Sequence, residues 1–174
     1  MAEEHPLKPF YSVLVLAFGC SLLVAAAAVS LKPFQEANKS LDQKKNILAA
    51  AGIYNESKPI EQQFEAVEAR IVNLASGNFV PPDRLDPGKF DQRQASLSEE
   101  LGSEIKSSDD QAGIRRVEKY SLVYLVKEQG RINQVVLPVR GKGLWSTMYA
   151  YVSLDADLST IRGISFYEHG ETPG

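Results

Sequence analysis

The chain has 174 residues, room for one ordinary domain and one short extra element. A hydrophobic share of 44% and a net charge of −3 fit a globular protein with a conventional core, and no basic block tracks a phosphate backbone, so nucleic acid is excluded as a partner. The single cysteine, Cys20, excludes an intrachain disulfide and a cysteine-based zinc site.

The first element in chain order is "FYSVLVLAFGCSLLVAAAAVSL", Phe10 to Leu31, which carries no charge. As a helix it spans about 33 Å, enough for a hydrocarbon core of about 30 Å. Inside lipid every backbone group needs an internal partner, which leaves helix as the form. Tyr11 and the lysines beyond both ends suit interfacial anchoring. A cleaved signal peptide is the alternative, because "VAAAAVS" has the small-residue spacing of a signal-peptidase site. The length of the run, and an N-terminal flank with Lys8 set against Glu3 and Glu4, favour a retained single-pass anchor. A lipoprotein reading fails, because Cys20 lies mid-run two residues after Phe18. The expected division is a flank over 1–9, a transmembrane helix over 10–31 and a folded domain over 32–174. Lys32, Lys39, Lys44 and Lys45 follow the run, so the positive-inside rule alone puts that domain in the cytoplasm, although Glu36 and Asp42 make the flank mixed.

"LKPFQEANKSLDQKKNILAAAGI" predicts a helix leaving the membrane, with Pro33 in its first turn and Gly52 as its stop. "NESKPIEQQFEAVEARIVNLASGN" predicts a second helix, because Ile60, Phe64, Val67 and Ile71 recur at three- and four-residue spacing. The stretch from Phe79 to Arg116 is rich in proline, aspartate and serine and predicts irregular structure with one short helical turn around Ser98–Leu101. From Val117 the texture becomes strand. Tyr120–Lys127, Ile132–Val139, Trp145–Leu154 and Ile161–Tyr167 are the β candidates, with "EQGR" and "DADLST" as turns. Helices followed by an antiparallel meander indicate an α+β domain.

Two segments carry candidate chemistry. In "VRGKGLWSTMY", glycines flank Lys142 ahead of an aromatic strand. Arg140 and Lys142 can meet a phosphate and Trp145 can stack on a planar ring, but residue chemistry alone favours a glycine-rich connection into a core tryptophan. In "YEHGETPG", Glu168, His169 and Glu171 offer a metal site, an acid–base pair or a polar turn. No third ligand or nucleophile is tied to them, so no catalytic residue and no metal ligand is assigned, and the turn is the default.

Together, "GKGLWSTMYAYVSLDAD" and "TIRGISFYEHGETPG" resemble the C subunit family of the bacterial Na⁺-translocating NADH:quinone oxidoreductase, related to the G subunit of the Rnf electron-transport complex and to other FMN-binding domains. The resemblance is densest from Arg140 to Gly174. It implies a membrane-anchored flavoprotein subunit that relays electrons from NADH toward ubiquinone in a sodium-exporting complex. The implied partners are the other subunits, membrane lipid and a flavin transferase. The implied location is the bacterial inner membrane, single-pass, with the domain on the periplasmic side, against the charge-based orientation. In the family FMN is joined through its phosphate to a threonine that ends a Ser-Gly-Ala-Thr-like motif. That motif does not occur here, and Thr172 is not its equivalent, so the expectation is a chain truncated at its C-terminus that lacks the covalent site. The noncovalent flavin pocket is expected to use Trp145, Ser146, Thr147, Glu171 and Thr172. The alternatives are a cofactor-free membrane-anchored assembly subunit and the Rnf subunit.

Overall fold

The computed structural model describes residues 8–172; most of the expected 1–9 flank and the final Pro173 and Gly174 lie outside that range. Two compact units divide the chain, one ending at Leu41 and the other beginning at Asp42.

Helix α1, Lys8–Ala50, runs without interruption through the predicted break at Pro33. A proline inside a helix forfeits one backbone hydrogen bond and clashes with the preceding turn. Here it does not end the helix, which continues through the favourable formers of "QEANKSLDQKKNILAA". From 9 to 40 the side chains are exposed, among them Phe10, Val15, Leu22 and Val29. Among the described residues this helix alone is long and apolar enough to cross a membrane.

The second unit is built on one antiparallel sheet. Its strands are β1 (Val67–Asn73), β2 (Phe79–Val80), β5 (Tyr120–Glu128), β6 (Arg131–Lys142), β7 (Thr147–Asp155) and β8 (Ile161–Glu168), in the order β2-β1-β5-β6-β7-β8. A small hairpin of β3 (Gly102–Glu104) and β4 (Arg116–Glu118) stands apart. The α+β expectation holds, and the four-strand meander runs as predicted from β5 to β8. Gln129 and Gly130, both at positive φ, make the tight β5–β6 turn.

Two segments differ from expectation. The second predicted helix is reduced to α2, Ile60–Phe64, and the chain from Val67 becomes strand β1. Val67 and Ile71 lie four apart, a spacing that serves a helix face and a strand face equally. The β-branched residues and the register Val67↔Val126 and Ile71↔Leu122 against β5 decide for strand. In the irregular stretch the helix is α3, Gln92–Leu97, with Asp91 accepting from the Gln94 N–H at its start and Ser98, the predicted turn residue, as its C-cap. Beyond it, β2, β3 and the start of β4 add pairing that short polar sequence does not announce.

The end of α1 covers one face of the sheet. Ile47 and Leu48 are fully buried and pack in one cluster with Ile71, Tyr124, Val126, Val136 and Tyr151. Gln43 donates to the Tyr124 hydroxyl at 2.9 Å, and the Ser165 hydroxyl donates to Asn46 Oδ1 at 2.9 Å, so polar contacts fix the helix at both flanks of the apolar contact. Buried Ser153 is satisfied by Gln134 at 2.7 Å. The helix lies so close to β8 that a Cβ at Gly163 would stand 2.5 Å from the Ala50 carbonyl oxygen. Gly163→Ala is therefore expected to push helix and strand apart and cost about 1–3 kcal/mol in chemical denaturation of the purified chain. Unchanged stability would show that this contact is not tight.

Candidate functional site

A cleft of about 570 Å³ opens between α3, the segment 113–116, the end of β6, the β6–β7 turn and the start of β7. That is within the range of small-molecule sites. Its lining carries five cations, Arg93, Arg115, Arg116, Arg140 and Lys142, and no carboxylate, together with Trp145, Ser146, Thr147 and Tyr149. A second hollow of about 390 Å³, beside Phe90 and Leu101, mixes both signs of charge through Arg84, Asp86, Lys89 and Asp91.

A buried ion pair holds the back of the cleft. Arg140 donates to Glu118 at 2.8 Å, with side-chain exposures of 14% and 8%, and also to the Arg116 carbonyl at 3.0 Å and the Ser96 hydroxyl at 3.2 Å. Gln92 donates to the other oxygen of Glu118 and accepts from the Leu122 N–H. Arg116 closes the end of α3 by donating to the carbonyls of Ser96 and Ser98 at 2.9 and 3.0 Å. These bonds clamp α3 and the β3–β4 hairpin to the sheet.

On the other wall Arg93 reaches from α3 to Glu168 on β8 at 2.7 Å and to the Tyr149 hydroxyl at 2.9 Å. The hydrogen bond to Glu168 raises the pKa of Arg93. Behind Tyr149 the rings continue inward. Tyr167 lies 6.1 Å from Tyr149 and stacks on Tyr151 at 4.7 Å, and Tyr151 meets Tyr124 edge-on at 5.9 Å. Burial pushes the Tyr167 phenol up to about 12, and raises Tyr151 and Tyr124 as well, so these three phenols stay neutral at any physiological pH.

One carboxylate braces the tryptophan turn, which the Gly143 N–H also closes by donating to the Ser146 carbonyl at 2.7 Å. Glu171 accepts from the Ser146 N–H at 2.9 Å, the Trp145 N–H at 3.1 Å and the Ser146 hydroxyl at 3.2 Å, while Gly170 N–H donates to that hydroxyl at 2.7 Å. A Cβ at Gly143 would stand 2.4 Å from Glu171 Oε1, so glycine there lets the carboxylate in. The segments "GKGLWS" and "HGET" are thus one structure. Trp145 is 73% exposed at the cleft, which decides against a core tryptophan. Of the residues expected around a flavin, Trp145, Ser146 and Thr147 line the cleft. Glu171 stands behind the turn with its oxygens engaged by it, and Thr172 is exposed and off the cleft lining. His169 is exposed, and its acidic neighbours are engaged elsewhere, Glu168 by Arg93 and Glu171 by the turn. Among the described residues no three histidine, cysteine or acidic side chains gather as metal ligands.

Sequence reasoning missed Arg93, Arg115 and Arg116. The adjacent arginines in "AGIRR", just before the first strand-like residues, were the available signal.

A family model described as "FMN-binding domain" matches residues 143–174, the stretch that holds both halves of the tryptophan turn. The C subunit of the Na(+)-translocating NADH-quinone reductase of Haemophilus ducreyi is 45% identical over 93% of this chain and 62% of that protein. The same subunit from Yersinia pestis is 42% identical over 96% of the chain and 64% of that protein. The Pseudomonas aeruginosa protein is 40% identical over 99% of the chain and 67% of its own length. The chain belongs to this C subunit family. The crystal structure of Shewanella oneidensis NqrC matches with a TM-score of 0.70 and 34% identity, covering 79% of this chain and 63% of that one. The chain thus spans 62% to 67% of the length of these three curated relatives.

Two outcomes follow from the site. The Glu171 carboxyl is held below the usual carboxylate range, chiefly by the Ser146 N–H, which outweighs an opposing desolvation, with the Trp145 N–H adding to the lowering. A carboxyl whose pKa falls on folding contributes fully above its unfolded value of about 4.3 and ceases to as pH drops through the lower folded value. The emission of Trp145, the only tryptophan, should therefore be constant from pH 7 down through the ordinary carboxylate range and change only at pH below it. Glu171→Ala should show the altered emission at every pH; a variant with wild-type emission at pH 7 would remove the latch. At the back of the cleft, Glu118→Ala strands a buried guanidinium and should cost about 3–5 kcal/mol in chemical denaturation. A loss below about 1 kcal/mol would mean that the pair is hydrated.

Proposed function

We propose that this chain is a membrane-anchored flavoprotein subunit of a sodium-translocating NADH:quinone oxidoreductase and that the cationic cleft is its FMN site. The observation that carries the reading is the lining, which combines five cations, no carboxylate and the exposed face of Trp145. FMN is a planar ring joined to a phosphate dianion, and it calls for an aromatic face at one end and uncompensated positive charge at the other. Both are present, so the residues fit the group. The family relationship and the "FMN-binding domain" match support the same cofactor.

When bound, FMN supplies the one-electron chemistry of the relay. The protein's part is positioning and electrostatics. Trp145 offers a ring face whose place is set by Glu171, and Ser146 and Thr147 offer polar edges beside it. The Arg140–Glu118 clamp keeps the cleft walls at a fixed separation. Contacts from Trp145, Ser146 and Thr147 are noncovalent in this reading, Glu171 acts through the turn that it holds, and Thr172 lies off the cleft. The family's phosphodiester threonine is not supplied by Thr172 and its motif is absent from these residues. The domain boundaries follow the division at 1–9, 10–31 and 32–174, with 10–31 in the bacterial inner membrane and the domain on the periplasmic side, where a flavin transferase works. The electron partners are the other subunits of the complex.

The test uses the full chain purified in detergent without flavin and titrated with FMN. Saturable quenching of flavin fluorescence is expected, and Trp145→Ala should weaken it about tenfold while leaving stability within about 0.5 kcal/mol. Absence of saturable FMN binding would reject the flavin site and favour a cofactor-free assembly subunit.

A further inference from the structure

We propose that Arg115 and Lys142 form the phosphate-reading end of the cleft, so that the site selects a phosphorylated flavin over the bare nucleoside form. This rests on the reading of the cleft as a flavin site.

The five cations are not equivalent. Arg93 is committed to Glu168 and Tyr149, at 2.7 and 2.9 Å. Arg140 is spent on Glu118 at 2.8 Å. Arg116 caps α3 through two carbonyls and reaches Glu104 at 3.5 Å. Those three have their charge answered inside the fold. The side chains of Arg115 and Lys142 have no hydrogen-bond or ion-pair partner among the described residues, yet both line the cleft.

The backbone around them is organised at a cost. Arg115 holds φ at 61°, a conformation that side-chain-bearing residues rarely adopt. Both oxygens of Asp110 hold it there, one accepting from the Ile114 N–H at 2.9 Å and the other from the Arg115 N–H at 2.8 Å. The same loop is stitched to the end of β6 by the Lys142 N–H, which donates to the Ala112 carbonyl at 2.7 Å. One fastening therefore brings a free guanidinium and a free ammonium to the same cleft. A glycine at 115 would take this φ without strain, and the arginine there is the residue with charge to offer. A phosphate dianion is the ligand chemistry that both a fork of N–H donors and a point charge recognise.

The full chain in detergent is titrated with FMN, with riboflavin and with inorganic phosphate as competitor. The wild-type chain should bind FMN about tenfold or more tighter than riboflavin, and phosphate should displace FMN but not riboflavin. Arg115→Gly combined with Lys142→Met should bring the FMN-to-riboflavin ratio close to one while riboflavin affinity is unchanged. Glycine suits the backbone at 115, so the variant keeps its fold, and its melting temperature should equal or exceed that of the wild type. Equal affinity of the wild type for both flavins, or a ratio that survives the double substitution, overturns the assignment and leaves the flavin cleft standing. Failure of both flavins to bind the wild type rejects the cleft reading itself, and the assignment with it.

Discussion

One carboxylate joins the two ends of the candidate site. Glu171 has three donors on its oxygens, two backbone N–H groups and the Ser146 hydroxyl, all from the turn that presents Trp145. The turn is also closed across its base by the Gly143 N–H, which donates to the Ser146 carbonyl at 2.7 Å. It lies outside regular pairing, and its Leu144 and Trp145 side chains are 81% and 73% exposed. Without the latch, an aromatic ring on a glycine-flanked tip would sample many directions, and an ordered stacking face is the property that a planar ligand needs.

The latch sets the front of the cleft and the Arg140–Glu118 pair sets its back. Buried ion pairs contribute little net stability, since desolvation offsets much of the attraction. The value of this one is geometric. Arg140 sits on the sheet, Glu118 on the hairpin, and Ser96 and Gln92 on α3, so one bonded group registers three elements. The column Tyr149–Tyr167–Tyr151–Tyr124 then ties the cleft wall to the apolar core beneath α1.

The meander was legible because its signals are local. Alternation in β7 and "EQGR" in the β5–β6 turn announce strand and reversal from neighbouring residues alone. The strand at Val67–Asn73 was not legible, because its identity depends on β5, about fifty residues later, and a four-residue recurrence fits either periodicity. Continuity through Pro33 was hidden for the opposite reason: the local rule against proline is strong, and the residues on both sides outweigh it. In the site, "GKGLW" and "HGET" each looked like a loop. Their meaning lay in a bond between them that spacing does not encode. The cations Arg93 and Arg115 sit in irregular sequence, where nothing marks a side chain that folding will turn toward a cleft.

The order β2-β1-β5-β6-β7-β8 has a further consequence. Among the described residues β8 is paired on one side only, and it carries Ile161, Ile164 and Phe166 exposed. Its outer row of backbone donors and acceptors is a template to which any extended segment can add in register. Among the described residues the sheet is an open series with β2 and β8 at its edges, so β8 is where a further strand would join it.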